Sequence, residues 1–167
     1  MLRTLARLRV PLGFLSAAVA IALARPTLRS LVTGGTVAIA GELLRVWASG
    51  HIQKGQEVTR SGPYQFVRHP LYLGSAVMAV GFMVAARSVP VAVLVSAYIL
   101  ITYAAAIRTE ESTLDVRFDG EYSAYRAGRA DPVTRSFSLA RVLNNREYRS
   151  VIGLVAGLAL LYWRSRQ

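Results

Sequence analysis

The chain contains no cysteine and only two histidines among its 167 residues. Without cysteine it has no disulfide, no thiolate nucleophile and no zinc–thiolate site. Two histidines are too few for most imidazole-rich metal centres, so we expect no bound metal. Charged residues are scarce as well, because they make up 17% of the chain, whereas about a quarter is usual in soluble proteins. The low charge content disfavours an ordinary soluble domain.

Acidic residues are the scarcer sign, since nine Asp and Glu stand against 20 Lys and Arg and the formal net charge is +11. Such a basic chain could bind nucleic acid, or it could be a membrane protein with basic loops. The placement of charge decides between them, because the stretches 12–24, 71–86 and 89–107 carry none. The arginines lie between these stretches rather than along one face. We therefore predict an integral membrane protein that interacts with membrane lipids and binds no nucleic acid.

Apolar stretches of membrane-spanning length define the predicted helices. A spanning helix needs about 20 residues, with about 17 to 25 as the usual range. The sequence predicts helices over 9–24, 31–49, 71–86 and 89–107, and a shorter apolar helix over 150–163. The last either crosses the membrane as a thin span or lies in its interface. The first resembles the start of a signal peptide, but we expect an uncleaved helix because further spans follow. The predicted fold is an all-α integral membrane bundle of four to five transmembrane helices.

Lys and Arg are distributed unevenly between the two sides of this predicted bundle. With five spans, fourteen lie on one side and five on the other, while Arg45 lies inside the second helix. Basic loops face the cytoplasm in membrane proteins. The polar stretches 51–70 and 108–135 therefore both lie on the cytoplasmic side, where they can form one site.

Two features inside the predicted helices bear on how they pack. Glu42 and Arg45 are three residues apart on the second helix, and charges at that depth should face the protein interior or the interface. They could form an ion pair near the water boundary or have a functional role, and the sequence supports both equally. The third helix carries five small residues that would let helix backbones approach closely: Gly74, Ser75, Ala76, Ala79 and Gly81.

The stretch "GPYQFVRHPLYLG" (residues 62–74) places an Arg-His pair directly before the third predicted helix. A Gly-Pro turn opens the stretch, and Pro70 is typical of a first helical residue, with His69 extended before it. Arg68 and His69 therefore lie at the mouth of the helix, where the N–H groups and the dipole favour a carboxylate or another anion. Arg68 could hold a carboxylate through two hydrogen bonds, and His69 could donate a hydrogen bond or act as a weak base.

Tyr64 and Tyr72 add flat aromatic faces to the same stretch, suited to an adenine ring or to a sulfonium cation. Each of these four side chains also has a simpler interpretation. Arg68 could contact a lipid headgroup, His69 could cap the helix, and the tyrosines could belong to an interfacial aromatic belt. Their concentration within nine positions, in a stretch whose backbone is restricted by two prolines, favours a binding site over four separate structural roles.

The stretch "RTEESTLDVRFDGEYSAYR" (residues 108–126) follows the fourth predicted helix and carries two adjacent carboxylates. Side chains of neighbouring helical residues point about 100° apart. Glu110 and Glu111 are therefore poorly placed to act as a catalytic pair, and we expect one to face a ligand and the other to face solvent. A turn at Gly120 is predicted to precede a short aromatic segment that contains Tyr122 and Tyr125.

Together, the stretches 59–74 and 108–126 resemble the isoprenylcysteine carboxyl methyltransferase family and its phospholipid methyltransferase relatives. The first is similar to that family's Gly-x-Tyr…Arg-His-Pro-x-Tyr-x-Gly stretch, and the second to its double-glutamate stretch with downstream Phe, Gly and Tyr. The similarity spans residues 51–132. It implies an integral membrane enzyme that moves a methyl group from S-adenosyl-L-methionine to a lipophilic acceptor, which reaches the site from the bilayer.

The resemblance leaves the acceptor open among several classes. The C-terminal carboxylate of an isoprenylcysteine-like substrate is the first expectation, and a phospholipid amine, a small thiol or another lipid is the alternative. A carboxylate is already ionised, whereas an amine or a thiol would need a base, for which His69 or a glutamate is the candidate. A non-catalytic membrane protein whose basic loops bind anionic lipid or a partner is a third class. The sequence does not indicate an oligomeric state.

By position, the resemblance also implies which residues act. The implied cofactor-binding residues are Gln53, Gln56, Val58, Thr59, Gly62, Tyr64, His69, Pro70, Tyr72, Glu110 and Glu111. The implied catalytic residues are Arg68, His69 and Arg108. A glutamate would grip the polar end of the cofactor, and a strand-like piece at 56–59 would close over it. Arg108 would orient an acceptor carboxylate, although it lies closer to the glutamates than the eukaryotic pattern has it.

These expectations divide the chain into three parts. Residues 1–50 would hold two N-terminal transmembrane helices. Residues 51–135 would form the methyltransferase core, with a transmembrane hairpin and a cytoplasmic cofactor pocket. Residues 136–167 would form a C-terminal segment with a membrane-spanning or interfacial helix.

Overall fold

The computed structural model describes residues 2–131 and 133–167, with side chains described from residue 12 onward. Met1 and Pro132, which fall in the first two predicted parts of the chain, lie outside the described residues. The described chain forms the helices α1 (Leu2–Leu23), α2 (Leu28–Ser49), α3 (Pro70–Ala86), α4 (Val89–Arg117), α5 (Glu121–Arg126), α6 (Leu139–Asn144) and α7 (Tyr148–Arg164). A short 3-10 helix covers Gly62–Gln65, and this part of the chain contains no strand. The all-α prediction is confirmed.

Two of the helices, α2 and α4, are long and apolar enough to cross a membrane. Residues 12–23 of α1 and the whole of α3 form shorter apolar helices. At a rise of about 1.5 Å per residue, α3 and α7 are each about 25 Å long, a little less than the hydrocarbon core of about 30 Å. The lengths therefore support two of the four to five predicted spans, and the others stay a prediction.

The fourth helix is longer than its apolar stretch. It continues through Ile107 to Arg117, so both glutamates of the second cluster lie on one uninterrupted helix. Gly120 follows with a φ of +79°, a left-handed conformation that glycine adopts at little cost, and α5 begins at the next residue. The predicted turn at Gly120 is confirmed, and it folds the aromatic segment back toward the end of α4.

Close contact between α2 and α3 forms the centre of the bundle. A Cβ atom added at Gly34 would lie 2.4 Å from the backbone nitrogen of Ala85, and one added at Gly41 would lie 2.5 Å from that of Met78. From the other side, a Cβ at Gly81 would lie 2.4 Å from the nitrogen of Ala38. Only glycine permits backbones this close. The packing role predicted for the small residues of the third helix is confirmed at Gly81.

Arg45 lies at the centre of a partly buried polar network that joins α2, α3 and α7. Its Nη2 atom is 2.7 Å from Oε1 of Glu147 and its Nε atom is 3.7 Å from Oε2 of Glu42. Glu42 in turn accepts a hydrogen bond of 2.6 Å from Ser150, and Arg45 donates to Ser75. The predicted pair of Glu42 and Arg45 is therefore present, but the shorter partner is Glu147, which stands 102 positions further along the chain.

The segment that follows residue 132 fastens onto the end of α2 and onto the loop at 50–59. Arg135 donates a hydrogen bond of 2.6 Å to Glu57, and the backbone of Ser138 donates one of 3.1 Å to Gly50. The Asn145 amide donates to the carbonyl oxygens at the end of α2 and in the loop, at 2.9 and 3.1 Å. Residues 56–59, which were expected to be strand-like, form part of this loop instead, because their backbone has no neighbouring strand to pair with in the described chain.

Candidate active site

A cavity of about 930 Å³ lies where the N-terminal end of α3 meets the C-terminal part of α4. The loop at 50–59, the 3-10 helix and α5 form much of the remaining wall, and α1, α2 and α7 also contribute lining residues. Its lining includes nine of the residues that sequence comparison assigned to the cofactor or to catalysis: Gln53, Val58, Thr59, Tyr64, Arg68, His69, Pro70, Tyr72 and Glu110. Ligand pockets commonly measure about 300 to 1,000 Å³. The two sequence clusters, which are separated by a helical hairpin, therefore meet at one cavity of ligand size.

Four of the expected residues do not line this cavity, and Glu111, which stands beside His69, is one of them. Gln56 is exposed and lies outside this cavity. Gly62 has a φ of +58° and packs against the ring of His51, so it shapes the chain rather than lining the cavity. Arg108 is exposed. It lies two residues before Glu110, so the two side chains point about 200° apart, and a helix that turns Glu110 inward turns Arg108 outward. The position of Arg108 does not support a role in orienting an acceptor carboxylate.

The two glutamates divide their roles. Glu110 lines the cavity, while Glu111 stands beside His69 with its Oε1 atom 3.0 Å from Nε2 of the ring. Tyr122 from α5 donates a hydrogen bond of 2.8 Å to the same Glu111 oxygen, and its hydroxyl is 3.3 Å from Nε2 of His69. Because a carboxylate accepts, Nε2 of the neutral ring carries the proton and Nδ1 is left as the basic nitrogen. Neither glutamate is therefore simply turned to solvent, as was expected for one of them.

His69 does not act as the helix cap that the sequence also allowed. It precedes Pro70, but its side chain makes no capping hydrogen bond. Its backbone has a ψ of 62° instead of the extended value expected before proline, and this rotates the residue away from the strand-like geometry. The ring also contacts Tyr72 edge-on, with the ring centroids 5.9 Å apart. The ring is thus held from two sides, by a carboxylate and by an aromatic face.

Three tyrosines keep their hydroxyl protons at this site. Burial raises the pKa of Tyr122 above its usual value, and the hydrogen bond to Glu111 raises it further. Burial also raises the pKa of Tyr125, which donates to the backbone oxygen of Tyr64 and so ties α5 to the 3-10 helix. Burial, followed by the charge of Glu110, raises the pKa of Tyr64. All three hydroxyls are therefore hydrogen-bond donors at neutral pH.

Two buried hydroxyls in the cavity wall lack a partner within the described part of the chain. They belong to Thr59 and Tyr64, residues that are each 7% exposed. A buried hydroxyl without a partner is costly, so these two are suited to a polar ligand that fills the cavity. Tyr72 and Tyr103 lie edge-on with centroids 5.1 Å apart and offer aromatic surface for a cation. With the Glu110 carboxylate for an ammonium group, these residues fit S-adenosylmethionine.

Several lining residues were not identified as site residues from the sequence. They are Phe14, Arg45, Ser75, Tyr98, Tyr103, Tyr122, Tyr125 and Glu147. Most are aromatic or lie inside apolar helices, where packing is the usual role. The turn at Gly120 was the available signal for Tyr122 and Tyr125, because a chain that reverses there returns toward the glutamates.

Comparisons with known proteins bear on the same region. A family model described as phospholipid methyltransferase matches residues 13–120, well over half of the chain. The nickel-cobalt-cadmium resistance protein NccN of Alcaligenes xylosoxydans xylosoxydans is 33% identical over 87 residues, which cover 51% of this chain and 39% of that relative. The matched stretch thus spans well under half of the relative's own length. No solved structure matches the chain.

Proposed function

Because this chain belongs to the phospholipid methyltransferase family, integral membrane methyltransferases that use S-adenosylmethionine, we propose that it transfers a methyl group to the amine of a phospholipid. The observation that carries the proposal is the placement of His69 at the cavity, held by Glu111 and Tyr122. A base is what an amine acceptor requires, since an ammonium group has no free electron pair to attack with.

The cavity wall provides the contacts that the cofactor needs. S-adenosylmethionine supplies, when bound, an electrophilic methyl group on a sulfonium sulfur. The Thr59 and Tyr64 hydroxyls bind its polar groups, and Glu110 binds its ammonium group. The rings of Tyr72 and Tyr103 stabilise positive charge through their faces. The 50–59 loop forms part of the cavity wall and limits the access of water, which strengthens these electrostatic contacts.

His69 takes the proton that the acceptor loses. Its Nε2–H donates to Glu111, so Nδ1 accepts a proton from the acceptor ammonium group and the ring becomes an imidazolium. Glu111 stabilises that positive charge, and Tyr122 keeps Glu111 in place. The acceptor nitrogen loses a proton to His69 and gains the methyl group, while the methyl–sulfur bond breaks and its electron pair leaves with S-adenosylhomocysteine, so charge and atoms balance. Positioning of the acceptor and this proton transfer are the two contributions of the chain to the rate.

A carboxylate acceptor is the second candidate, and Arg68 is the observation that favours it. Arg68 lines the cavity and could hold a carboxylate through two parallel hydrogen bonds, as an isoprenylcysteine-like substrate would require. We rank it second because Arg108 lies outside the cavity, whereas the base that an amine needs is in place. The described residues contain no group of three or more His, Asp or Glu side chains placed to hold a metal ion.

We place the protein in the membrane as a multi-pass chain whose cavity opens to the cytoplasm and whose acceptor arrives from the bilayer. The basic stretches beside the cavity support this orientation. A cytosolic cofactor and a membrane-embedded acceptor can meet at that boundary.

Cofactor binding is tested by calorimetry of the detergent-solubilised protein with S-adenosylhomocysteine. The wild type should bind, and Thr59→Val and Tyr64→Phe should each weaken binding about tenfold, the cost of one buried hydrogen bond. The same substitutions should leave the thermal unfolding temperature of the ligand-free protein unchanged or higher, because each removes a buried hydroxyl without a partner. Absence of binding by the wild type would refute the proposed function. Equal affinities of the variants and the wild type would instead remove these hydroxyls from the site.

The acceptor is identified by methyl transfer from radiolabelled cofactor. The purified protein is offered phosphatidylethanolamine or farnesylcysteine in matched micelles. We expect label in the phosphatidylethanolamine sample, stable to mild base because an N-methyl bond does not hydrolyse. Label released by base from the farnesylcysteine sample would indicate a methyl ester. That result would refute the amine as acceptor and support the carboxylate instead.

A further inference from the structure

A second groove, of about 630 Å³, joins the side of the cavity. The two share five lining residues: Arg45, Lys54, Ser75, Tyr103 and Glu147. The floor of the groove is a stripe of α3 formed by Ser75, Met78, Ala79 and Phe82. These positions follow the i, i+3, i+4, i+7 spacing of one helical face. The stripe is polar only at its first residue, next to the cavity, and apolar along the rest of its length.

The end of the groove beside the cavity is strongly basic. Lys54, Arg146 and Arg149 line it and are exposed. Glu147 is the one carboxylate among the described residues that line the groove, and Arg45 already holds it at 2.7 Å. Three positive charges therefore lie beside an apolar stripe, and the Glu147 carboxylate that lines the groove is already paired with Arg45.

The arginines occupy positions that cost the fold stability. Arg146 has a φ of +58°, a left-handed conformation that side chains other than Gly, Asn and Asp rarely adopt. Arg149 lies in the first turn of α7, where the helix dipole disfavours a positive charge. Both also lie beyond residue 120, where the family match ends. A bound anion would offset the electrostatic cost at Arg149, and the binding would be particular to this chain rather than common to the family.

We propose that this groove binds the phosphate and one acyl chain of a phospholipid, with Arg146 and Arg149 as the phosphate ligands. The assignment rests on the proposed function. The groove would hold the phosphate and an acyl chain of the acceptor, whose amine lies in the catalytic cavity. The phosphate lies at the basic end, so the amine beyond it reaches into the cavity beside His69. The acyl chain follows the stripe from Ser75 to Phe82, about 10 Å at the helical rise per residue. There the Phe82 ring approaches α7 at Gly157, where an added Cβ would lie 2.8 Å from it, and narrows the far end.

The test is fluorescence titration of the full-length protein in neutral detergent with phosphatidic acid labelled on its acyl chain. Diacylglycerol with the same labelled chain is the control probe, because it lacks the phosphate. The wild type should bind phosphatidic acid at least tenfold more tightly than diacylglycerol. The double variant Arg146→Gln/Arg149→Gln should lose that preference, because each charge-assisted hydrogen bond contributes about tenfold. The double variant Arg129→Gln/Arg166→Gln, an equal loss of two positive charges at exposed residues outside the groove, should keep it.

Two results would overturn the groove proposal: equal binding of the two probes by the wild type, and an unchanged preference in the Arg146→Gln/Arg149→Gln variant.

Competition experiments distinguish a phospholipid phosphate from free phosphate as the bound anion. Inorganic phosphate should displace the probe only at far higher concentration than unlabelled phosphatidic acid, and farnesylcysteine should displace it poorly. Displacement by either at the concentration of phosphatidic acid would remove the phospholipid as occupant. Calorimetry with S-adenosylhomocysteine on the same samples keeps the proposals apart, because binding of phosphatidic acid without binding of this cofactor product would refute the methyltransferase cavity alone.

Discussion

The basic nitrogen of His69 depends on partners that lie far from it in sequence. Glu111 is 42 residues away and Tyr122 is 53 residues away, yet both side chains converge on Nε2. The carboxylate selects the tautomer, because it accepts a hydrogen bond from the Nε2–H group and so leaves Nδ1 without a proton. Glu111 thus decides which nitrogen of His69 takes the proton, although Glu111 itself does not touch the methyl acceptor.

The substitution Glu111→Gln should lower the methyl transfer rate about 100-fold, the usual contribution of a general base. The Gln amide can donate to Nε2, which moves the ring proton to Nδ1 and removes the base. Single-turnover transfer to phosphatidylethanolamine, measured against pH, checks this. Burial and the Glu111 hydrogen bond raise the pKa of Tyr122, so its hydroxyl does not titrate near neutral pH. The variant should recover toward the wild-type rate as pH rises toward 10, where an alkylamine loses its proton to water.

Asp115→Asn provides the matched control for that measurement. Asp115 lies one turn further along the same face of α4, where it accepts a hydrogen bond from Ser123. The control should keep both the rate and its pH dependence, and Glu111→Gln should keep the affinity for S-adenosylhomocysteine within about threefold. A loss of affinity as large as the loss of rate would contradict the positioning role and indicate a merely structural one.

The positions of site residues next to a strong local sequence signal could be predicted. The positions of residues brought to the site from distant parts of the chain could not. Pro70 identified the start of a helix, so Arg68, His69 and Tyr72 were placed correctly at its mouth. Glu147 could not be paired with Arg45, because the contact depends on how α7 packs against α2. Arg108 was assigned by analogy of position, and the helical period of α4 turns it away from the cavity.

At the scale of elements, the contact between α2 and α3 sets the position of the cavity, since α3 carries Pro70 at its mouth. The small residues made a close contact predictable, but the partner helix and the register were not. The register depends on which glycines meet, and Gly34 lies against Ala85 and Gly81 of the other helix. The length of α4 was likewise hidden, because its last ten residues are mostly polar and periodicity alone does not separate a helix from a loop there.

The adjacent glycines Gly34 and Gly35 give a matched test of that contact. A Cβ at Gly34 would lie 2.4 Å from backbone atoms of α3, whereas one at Gly35 would lie 3.8 Å from the Leu158 side chain, an ordinary contact. Gly34→Ala should destabilise the protein by about 1 to 3 kcal/mol through overpacking. Gly35→Ala should leave stability unchanged or raise it by up to about 1 kcal/mol, through helix propensity. Thermal unfolding in detergent measures both, and similar losses at the two positions would show that α2 and α3 are not packed in this register.

At the scale of the whole molecule, the two polar stretches meet because both follow apolar helices that end on the same side. The segment from Arg135 to Asn145 then closes over the end of α2 and holds the loop at 50–59 against the cavity. Charge distribution alone predicted that the stretches share a side. Their closure by this segment needed the structure, since its contacts are largely to backbone carbonyl oxygens, which carry no sequence signal.

The absence of cysteine makes the proposed orientation directly measurable, because single cysteines can be introduced without removing any. Three exposed residues lie in segments between helices: Gln56, Arg87 and Arg129. The proposed orientation assigns Gln56 and Arg129 to the cytoplasmic side and Arg87 to the opposite side. In sealed spheroplasts, a membrane-impermeant maleimide should label Arg87→Cys at once. Gln56→Cys and Arg129→Cys should react only after permeabilisation, since the positive charge of their surroundings keeps them in the cytoplasm.

The same measurement at the C-terminal end tests whether α7 crosses the membrane. Helix α7 is about 25 Å long at the helical rise and is flanked by arginines, so it can cross a bilayer that thins slightly around it. We expect Gln167→Cys to label in sealed spheroplasts together with Arg87→Cys, which gives five spans. Labelling of Gln167→Cys only after permeabilisation would place α7 at the cytoplasmic surface and give four. Labelling of Gln56→Cys before Arg87→Cys would reverse the orientation, and with it the side from which the cofactor reaches His69.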